Sequence, residues 1–186
     1  MSNTNPKLGR LAKLGLLAAL SIVLVFFIHF PIFPTAKFLE YDPADIPIMI
    51  ATFAFGPWYG LMTTIVVAVV QGLTVSASSG IYGIIMHIIA TGAYVLASSL
   101  FYKKHKTKKW AAVAIVIGTV TMVVCMFFAN LIITPYFMMG AVNSGTVSAV
   151  LSLMPFILLF NLIKAGVNGL ITFFIYKRVK HLFLKD

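Results

Sequence analysis

Residues 46–79 read IPIMIATFAFGPWYGLMTTIVVAVVQGLTVSASS, 34 residues without a formal charge. How this stretch is divided decides the fold. As one helix it would be about 51 Å long at ~1.5 Å per residue, against a bilayer hydrocarbon core of ~30 Å. Gly56-Pro57 interrupts it, and glycine followed by proline is a strong turn signal. Two short spans, about 43–56 and 58–75, therefore fit better than one. The first is thin for a full crossing, so it is expected to be tilted or partly sunk in protein.

Outward from this stretch, the apolar runs 8–30, 80–102, 110–134 and 153–177 each have the length of a membrane-spanning helix. The basic residues give an independent count. Lys7, Arg10 and Lys13 precede the first span, and Lys103, Lys104, Lys106, Lys108 and Lys109 follow the fourth. Lys177, Arg178, Lys180 and Lys185 close the chain, and the three clusters hold 12 of its 14 basic residues. They fall on one side of a bilayer only if four spans precede the middle loop and two follow it. Lys and Arg collect on the cytoplasmic side. The expectation is a single-domain, all-α membrane protein over residues 1–186, a bundle of six transmembrane helices with both termini cytoplasmic.

Composition agrees. With 61% hydrophobic residues, 10% charged residues and a mean hydropathy of +1.03, the chain reads as an integral membrane protein. Its net charge of +10 comes from the loop clusters, which points to membrane topology rather than nucleic acid. Cys125 is the single cysteine, so neither a disulfide framework nor a cysteine metal site is available. The first run leads into Pro31 and aromatics rather than a small-residue cleavage site, so it reads as a retained span.

The chemistry starts at Lys164, the only charge within residues 153–176. At ~1.5 Å per residue it lies roughly 17 Å from either end of that run. A lysine at that depth costs about 2.5–3.5 kcal/mol on insertion scales and normally turns inward, toward partners or a cavity. Asn161 and Asn168 stand at i−3 and i+4 from it, on the same helical face. This polar stripe marks a lined pocket; the alternative is a lysine bonded only to carbonyls of a neighbouring helix. Asn130 and Thr134 share a face of the fifth span, Gln71 lies late in the third, and His87 lies in the fourth near Gly83 and Thr91. For His87 the plainer reading is a neutral ring bonded to backbone, and no second histidine at ligand spacing suggests a metal. Asp42 and Asp45 flank Pro43 at the start of the second span. Asp42 is expected to cap that helix, whereas Asp45 could face a ligand or Lys164.

No phosphate-binding loop, H-E-x-x-H motif or activated nucleophile is visible, so no enzyme is expected and no cofactor is called for. The absence of an energy source suggests a passive protein or one subunit of a larger machine. Gly15, Ala18 and Ala19 put small residues on the first span, where another helix could approach closely or where the chain could pack on itself. The loop 31–41, with Phe33, Phe38 and Tyr41, reads equally as an interfacial aromatic belt or as a lid over a pocket. The loop 135–152 is expected to be long, with a flexible stretch at 140–145.

Leu39-Glu40-Tyr41-Asp42-Pro43-Ala44-Asp45-Ile46-Pro47 and Phe53-Ala54-Phe55-Gly56-Pro57 resemble a segment of the riboflavin-specific S-components of energy-coupling factor (ECF) transporters. Asn130 through Tyr136 and Phe160-Asn161-Leu162-Ile163-Lys164-Ala165-Gly166 resemble that family's signatures in the fifth and last spans. The chain departs from the pattern at Val70-Gln71 and at Gly83 and His87. The resemblance implies a vitamin-binding subunit, most simply for riboflavin, in a bacterial plasma membrane. It implies a transmembrane coupling protein and two ATPases as partners, docked through Gly15, Ala18 and Ala19. By position it makes Leu39 a lid residue and Asn130 and Lys164 ligand contacts. Asp45, Gln71, His87, Asn161 and Asn168 complete the expected substrate site. The alternatives are an S-component for another vitamin or precursor, such as hydroxymethylpyrimidine or pantothenate, and a stand-alone facilitator or channel lined by Lys164 and His87.

Overall fold

A computed structural model describes residues 6–104 and 106–184. Lys185, counted above with the last basic cluster, lies outside the described residues. Six α-helices follow one another: α1 (Pro6–Phe27), α2 (Asp45–Phe55), α3 (Pro57–Leu73), α4 (Gly80–Lys104), α5 (Lys108–Met139) and α6 (Ser144–Leu184). Between α1 and α2 runs a short hairpin, β1 (Phe30–Pro31) against β2 (Glu40–Tyr41), antiparallel with Phe30 opposite Tyr41.

The division at Gly56-Pro57 is sharp. Gly56 holds φ at 105°, a backbone region that disfavours any side chain, and its N–H still bonds Thr52 O at 2.8 Å. Pro57 then opens α3, where its fixed φ suits a first helical turn and its missing N–H costs nothing. At ~1.5 Å per residue, α2 spans only about 16 Å. Nine of its eleven residues, Asp45 through Phe53, are buried. It packs against α1, α3, α4 and α6, so this short helix is sunk in protein as its length required. Four helices, α1, α4, α5 and α6, are long and apolar enough to cross a bilayer; α2 and α3 are shorter.

Close helix approach depends on missing side chains. A Cβ at Gly118 of α5 would collide with Ser98 and Tyr94 of α4, and one at Gly169 of α6 would collide with the Tyr94 hydroxyl and Ile115. Tyr94 is fully buried at this three-helix junction, and its hydroxyl donates to Ala165 O at 3.3 Å. Small residues at such crossings let backbones approach where no hydrophobic effect drives association.

The first half of α1 and the end of α6 lie together at one end of the bundle, where Lys13 Nζ of α1 donates to Phe183 O of α6 at 3.2 Å. The hairpin, the α3–α4 turn and the α5–α6 turn occupy the other end, joined by Phe38–Phe137 and Tyr82–Phe137 ring contacts at 6.4 and 6.0 Å.

The largest differences from the expected boundaries lie around the α5–α6 turn, where both helices run further than their apolar spans of 110–134 and 153–177. α5 runs through Pro135 to Met139 and α6 begins at Ser144, with Pro155 inside it. The expected 135–152 loop is therefore only the turn 140–143, closed by Gly140 at φ 71° with its N–H on Tyr136 O. Prolines are tolerated in apolar spans because neighbouring helices and hydroxyl side chains satisfy the freed carbonyls.

Candidate functional site

The loop between α1 and α2 does not stay at the end of the bundle. Its hairpin packs on the first half of α6: Ala36 and Leu39 are buried with Val150, Met154, Ile157 and Phe160, and Phe33 meets Phe156 ring to ring at 5.4 Å. From there the chain descends, so that Asp42 arrives beside Lys164, about midway along α6. Beneath the hairpin lies a cavity walled by α3, α4, α5 and α6. Phe38, Leu39, Met86, Met122, Met126, Ile133, Phe137 and Phe160 give it an apolar lining; Asp42, Gln71, His87, Thr91, Asn130, Asn161 and Lys164 supply polar groups.

The polar floor is built around two carboxylates. Lys164 Nζ donates to Asp42 Oδ2 at 2.7 Å, with both side chains at most 10% exposed. Gln71 Nε2 donates to the same oxygen at 3.2 Å, and the Ala44 N–H donates to Asp42 Oδ1 at 3.0 Å. Asp45, fully buried, accepts Thr91 Oγ1 at 2.7 Å and Asn168 Nδ2 at 3.2 Å. Asn168 Nδ2 also reaches the Asp42 carbonyl at 2.9 Å, while its Oδ1 accepts the Tyr41 hydroxyl at 2.9 Å. Charges this deep persist only when paired and hydrogen-bonded, and here every carboxylate oxygen has a donor. The chain has only four acidic residues, and three of them, Glu40, Asp42 and Asp45, fall within six positions at this site.

Six of the eight expected substrate-site residues line the cavity: Leu39, Gln71, His87, Asn130, Asn161 and Lys164. Two do not. Asp45 and Asn168 lie behind the wall, where they brace Asp42, Thr91 and the descending loop. The partner of Lys164, which spacing left open between a ligand and Asp45, is Asp42, the residue read as a helix cap. Asp42 keeps a cap-like bond to Ala44 through its other oxygen.

Asn130 and Asn161 are oriented by their own helices, each donating its Nδ2 to the carbonyl four residues back, Met126 O at 2.7 Å and Ile157 O at 2.8 Å. Thr134 donates to Asn130 Oδ1 at 2.7 Å. The methionines of the wall carry no sequence signal that separates them from ordinary core residues. Among the described residues no group of three or more His, Cys, Asp or Glu side chains could hold a metal ion.

Below the polar floor the bundle is shut. Phe53, Tyr102 and Tyr176 stack with centroids 4.6–6.1 Å apart, and the Tyr176 hydroxyl donates to Phe53 O at 3.1 Å. On α1, Gly15 and Ala19 are exposed, whereas Ala18 is partly buried against the core, so only the first two share an open face.

An apolar helix bundle with a lidded, mixed-polarity cavity and a closed base defines a membrane-embedded small-molecule binding protein. The ECF transporter substrate-specific component model matches residues 9–176. The chain belongs to that family, whose members are transporter subunits and not enzymes. Relatives agree. It is 25% identical over 185 residues to the riboflavin transporter FmnP of Bacillus subtilis, covering 94% of this chain and 93% of that one. It is 29% identical over 184 residues to the riboflavin transporter RibU of Staphylococcus aureus, at 95% and 92% coverage. The RibU of Streptococcus thermophilus is 31% identical over 133 residues, a match spanning 71% of this chain but only 61% of that protein. Among solved structures, the S component of a bacterial ECF transporter superposes with a TM-score of 0.77 at 25% identity, covering 96% of this chain and 99% of that one. ThiT from Listeria monocytogenes has a TM-score of 0.68 at 19% identity, with 97% and 100% coverage, and shares the fold.

Proposed function

We propose that the whole chain, one membrane domain, is the substrate-binding subunit of an ECF transporter that imports riboflavin. The observation that carries this reading is the lidded cavity itself. Phe38, Leu39 and Phe160 offer an apolar bed for a flat aromatic ring system, and Asn130, Asn161 and Lys164 stand at its edge to meet ring carbonyls and nitrogens. The three relatives described above, all riboflavin transporters by name, support the choice of ligand. Lys164 is the one cation of the cavity wall and is already paired with Asp42, which suits a neutral ligand.

Six spans with both termini cytoplasmic, in a bacterial plasma membrane, follow from the basic clusters at the end of the bundle shared by the first half of α1 and the end of α6. The hairpin then covers the cavity from outside. Gly15 and Ala19, exposed on α1, form the face on which a transmembrane coupling protein docks, with two ATPases supplying the energy this chain lacks. The aromatic stack at the base argues against a continuous pore.

Purified protein titrated with riboflavin should quench flavin fluorescence saturably at sub-micromolar concentration. Folded protein that does not bind riboflavin at micromolar concentration would remove the flavin reading. Uptake into proteoliposomes by this chain alone, without partners or ATP, would favour a facilitator instead.

A further inference from the structure

Two buried polar atoms on the cavity wall lack a hydrogen-bond partner among the described residues: Gln71 Oε1 and His87 Nε2. Buried polar groups are nearly always paired, and one left unpaired bears the full cost of its lost hydration. Both atoms belong to residues on facing stretches of α3 and α4. The two helices are drawn together one position after Gln71, where a Cβ on Gly72 would collide with Ile84.

The orientation of Gln71 is fixed by its neighbour. Its amide nitrogen donates to Asp42 Oδ2 at 3.2 Å, an oxygen that also receives Lys164 Nζ at 2.7 Å. An ionised carboxylate only accepts, so turning the amide over would set two acceptor oxygens face to face. Oε1 is thereby left as an acceptor with nothing to accept. Across the gap, His87 Nε2 lies 4.0 Å from Asp45 Oδ1, too far for a hydrogen bond, and that oxygen is already taken by Thr91.

A hydroxyl suits each of the two atoms. It donates to Gln71 Oε1, and it can donate to or accept from His87 Nε2 in either tautomer. A phosphate dianion cannot donate to Gln71, and it would meet Asp42 and Glu40 nearby. We infer that Gln71 and His87 form a hydroxyl-reading wall that holds the polyol part of the ligand and disfavours a ligand whose polar end is anionic. This rests on the flavin reading above and assigns Asn130, Asn161 and Lys164, on α5 and α6, to the ring system.

Three probes separate the contributions: riboflavin, lumiflavin (a methyl group in place of the hydroxylated chain) and riboflavin 5′-phosphate. Each is titrated by fluorescence quenching into the intact protein and its Gln71→Met and His87→Phe variants. Riboflavin affinity should fall at least about tenfold in each variant, because a ligand hydroxyl loses its partner. Lumiflavin affinity should stay within about twofold, since it never used the wall. The unsubstituted protein should bind the 5′-phosphate at least about tenfold more weakly than riboflavin. If Gln71→Met is not recovered folded, Gln71→Asn replaces it, keeping the amide but withdrawing it by one methylene.

Unchanged riboflavin binding in the variants overturns the inference and leaves the flavin reading standing. So does a parallel loss of riboflavin and lumiflavin, which would mean the two residues act through the Asp42 network. Equal binding of riboflavin and its phosphate removes the discrimination. An unsubstituted protein that binds no flavin removes the flavin reading and this inference with it.

Discussion

Removing Lys164 should do two separable things, and the Asp42 pair says how large each is. Nζ and Oδ2 are 2.7 Å apart with side chains 10% and 2% exposed, so Lys164→Met leaves a buried carboxylate holding only Gln71 Nε2 and the Ala44 N–H. Breaking a buried pair from one side costs about 3–5 kcal/mol, whereas replacing both partners by neutral groups is often near neutral. For a chain of this size, about 2–4 °C of melting temperature per kcal/mol makes that on the order of 6–20 °C. Asp42→Asn in the Lys164→Met background should recover most of this loss. Ligand affinity should not recover, because the donor to the ligand is gone in both variants; it should stay at least about tenfold weaker, ~1.4 kcal/mol. Thermal melting in detergent and fluorescence titration on the four proteins of the cycle read the two effects separately. Additive melting losses in the double variant would refute the coupling. An affinity restored together with stability would show that Lys164 acts only through the fold.

Three further outcomes follow from other parts of the molecule. Gly118→Ala places a Cβ 2.9 Å from the Tyr94 carbonyl, which a side-chain rotation cannot relieve, and should cost about 1–3 kcal/mol by overpacking, read as a lower melting temperature. Phe137→Ala deletes the rings' contact with Phe38 and Tyr82 over the cavity; at ~0.5–1.5 kcal/mol for each of the two aromatic pairs, stopped-flow fluorescence should show ligand leaving roughly 5- to 150-fold faster. Ala19→Trp fills the open face of α1, so detergent-solubilised protein should bind ligand normally while ATP-driven uptake by the assembled transporter fails; preserved uptake would move the docking face elsewhere.

Much of this architecture was legible because a bilayer leaves few choices. Gly56-Pro57 and the parity of the basic clusters divided the chain into the six helices observed, and the length of α2 forecast its burial. The facing ends of α5 and α6 were not legible, because Pro135 looks like a break and the small, polar residues 143–152 look like loop, although both continue as helix. The stripe of Asn161, Lys164 and Asn168 predicted a polar face correctly, yet only Asn161 and Lys164 reach the cavity. A helical face is wider than a pocket wall, and 3.6-residue periodicity does not say which turn lies behind it. The choice between Asp42 and Asp45 for Lys164 was likewise invisible: it depends on how Pro43 directs a non-helical loop, for which sequence carries no period.

The Asp42–Lys164 pair also has a consequence for how the protein is made. Its partners are 122 residues apart in the chain, and at about 5–20 residues per second the ribosome takes roughly 6–24 s to pass from one to the other. Throughout that interval Asp42 lacks the Lys164 ammonium, and the loop leads into an 11-residue helix too short to hold a bilayer position alone. Early helices can enter the membrane as they emerge, and α2 can pack on α1, α3 and α4, but its remaining face stays uncovered until α6 arrives with Lys164. Assembly of the site therefore waits for the last helix, and a nascent chain ending before α6 would hold Asp42 without the ammonium that neutralises it.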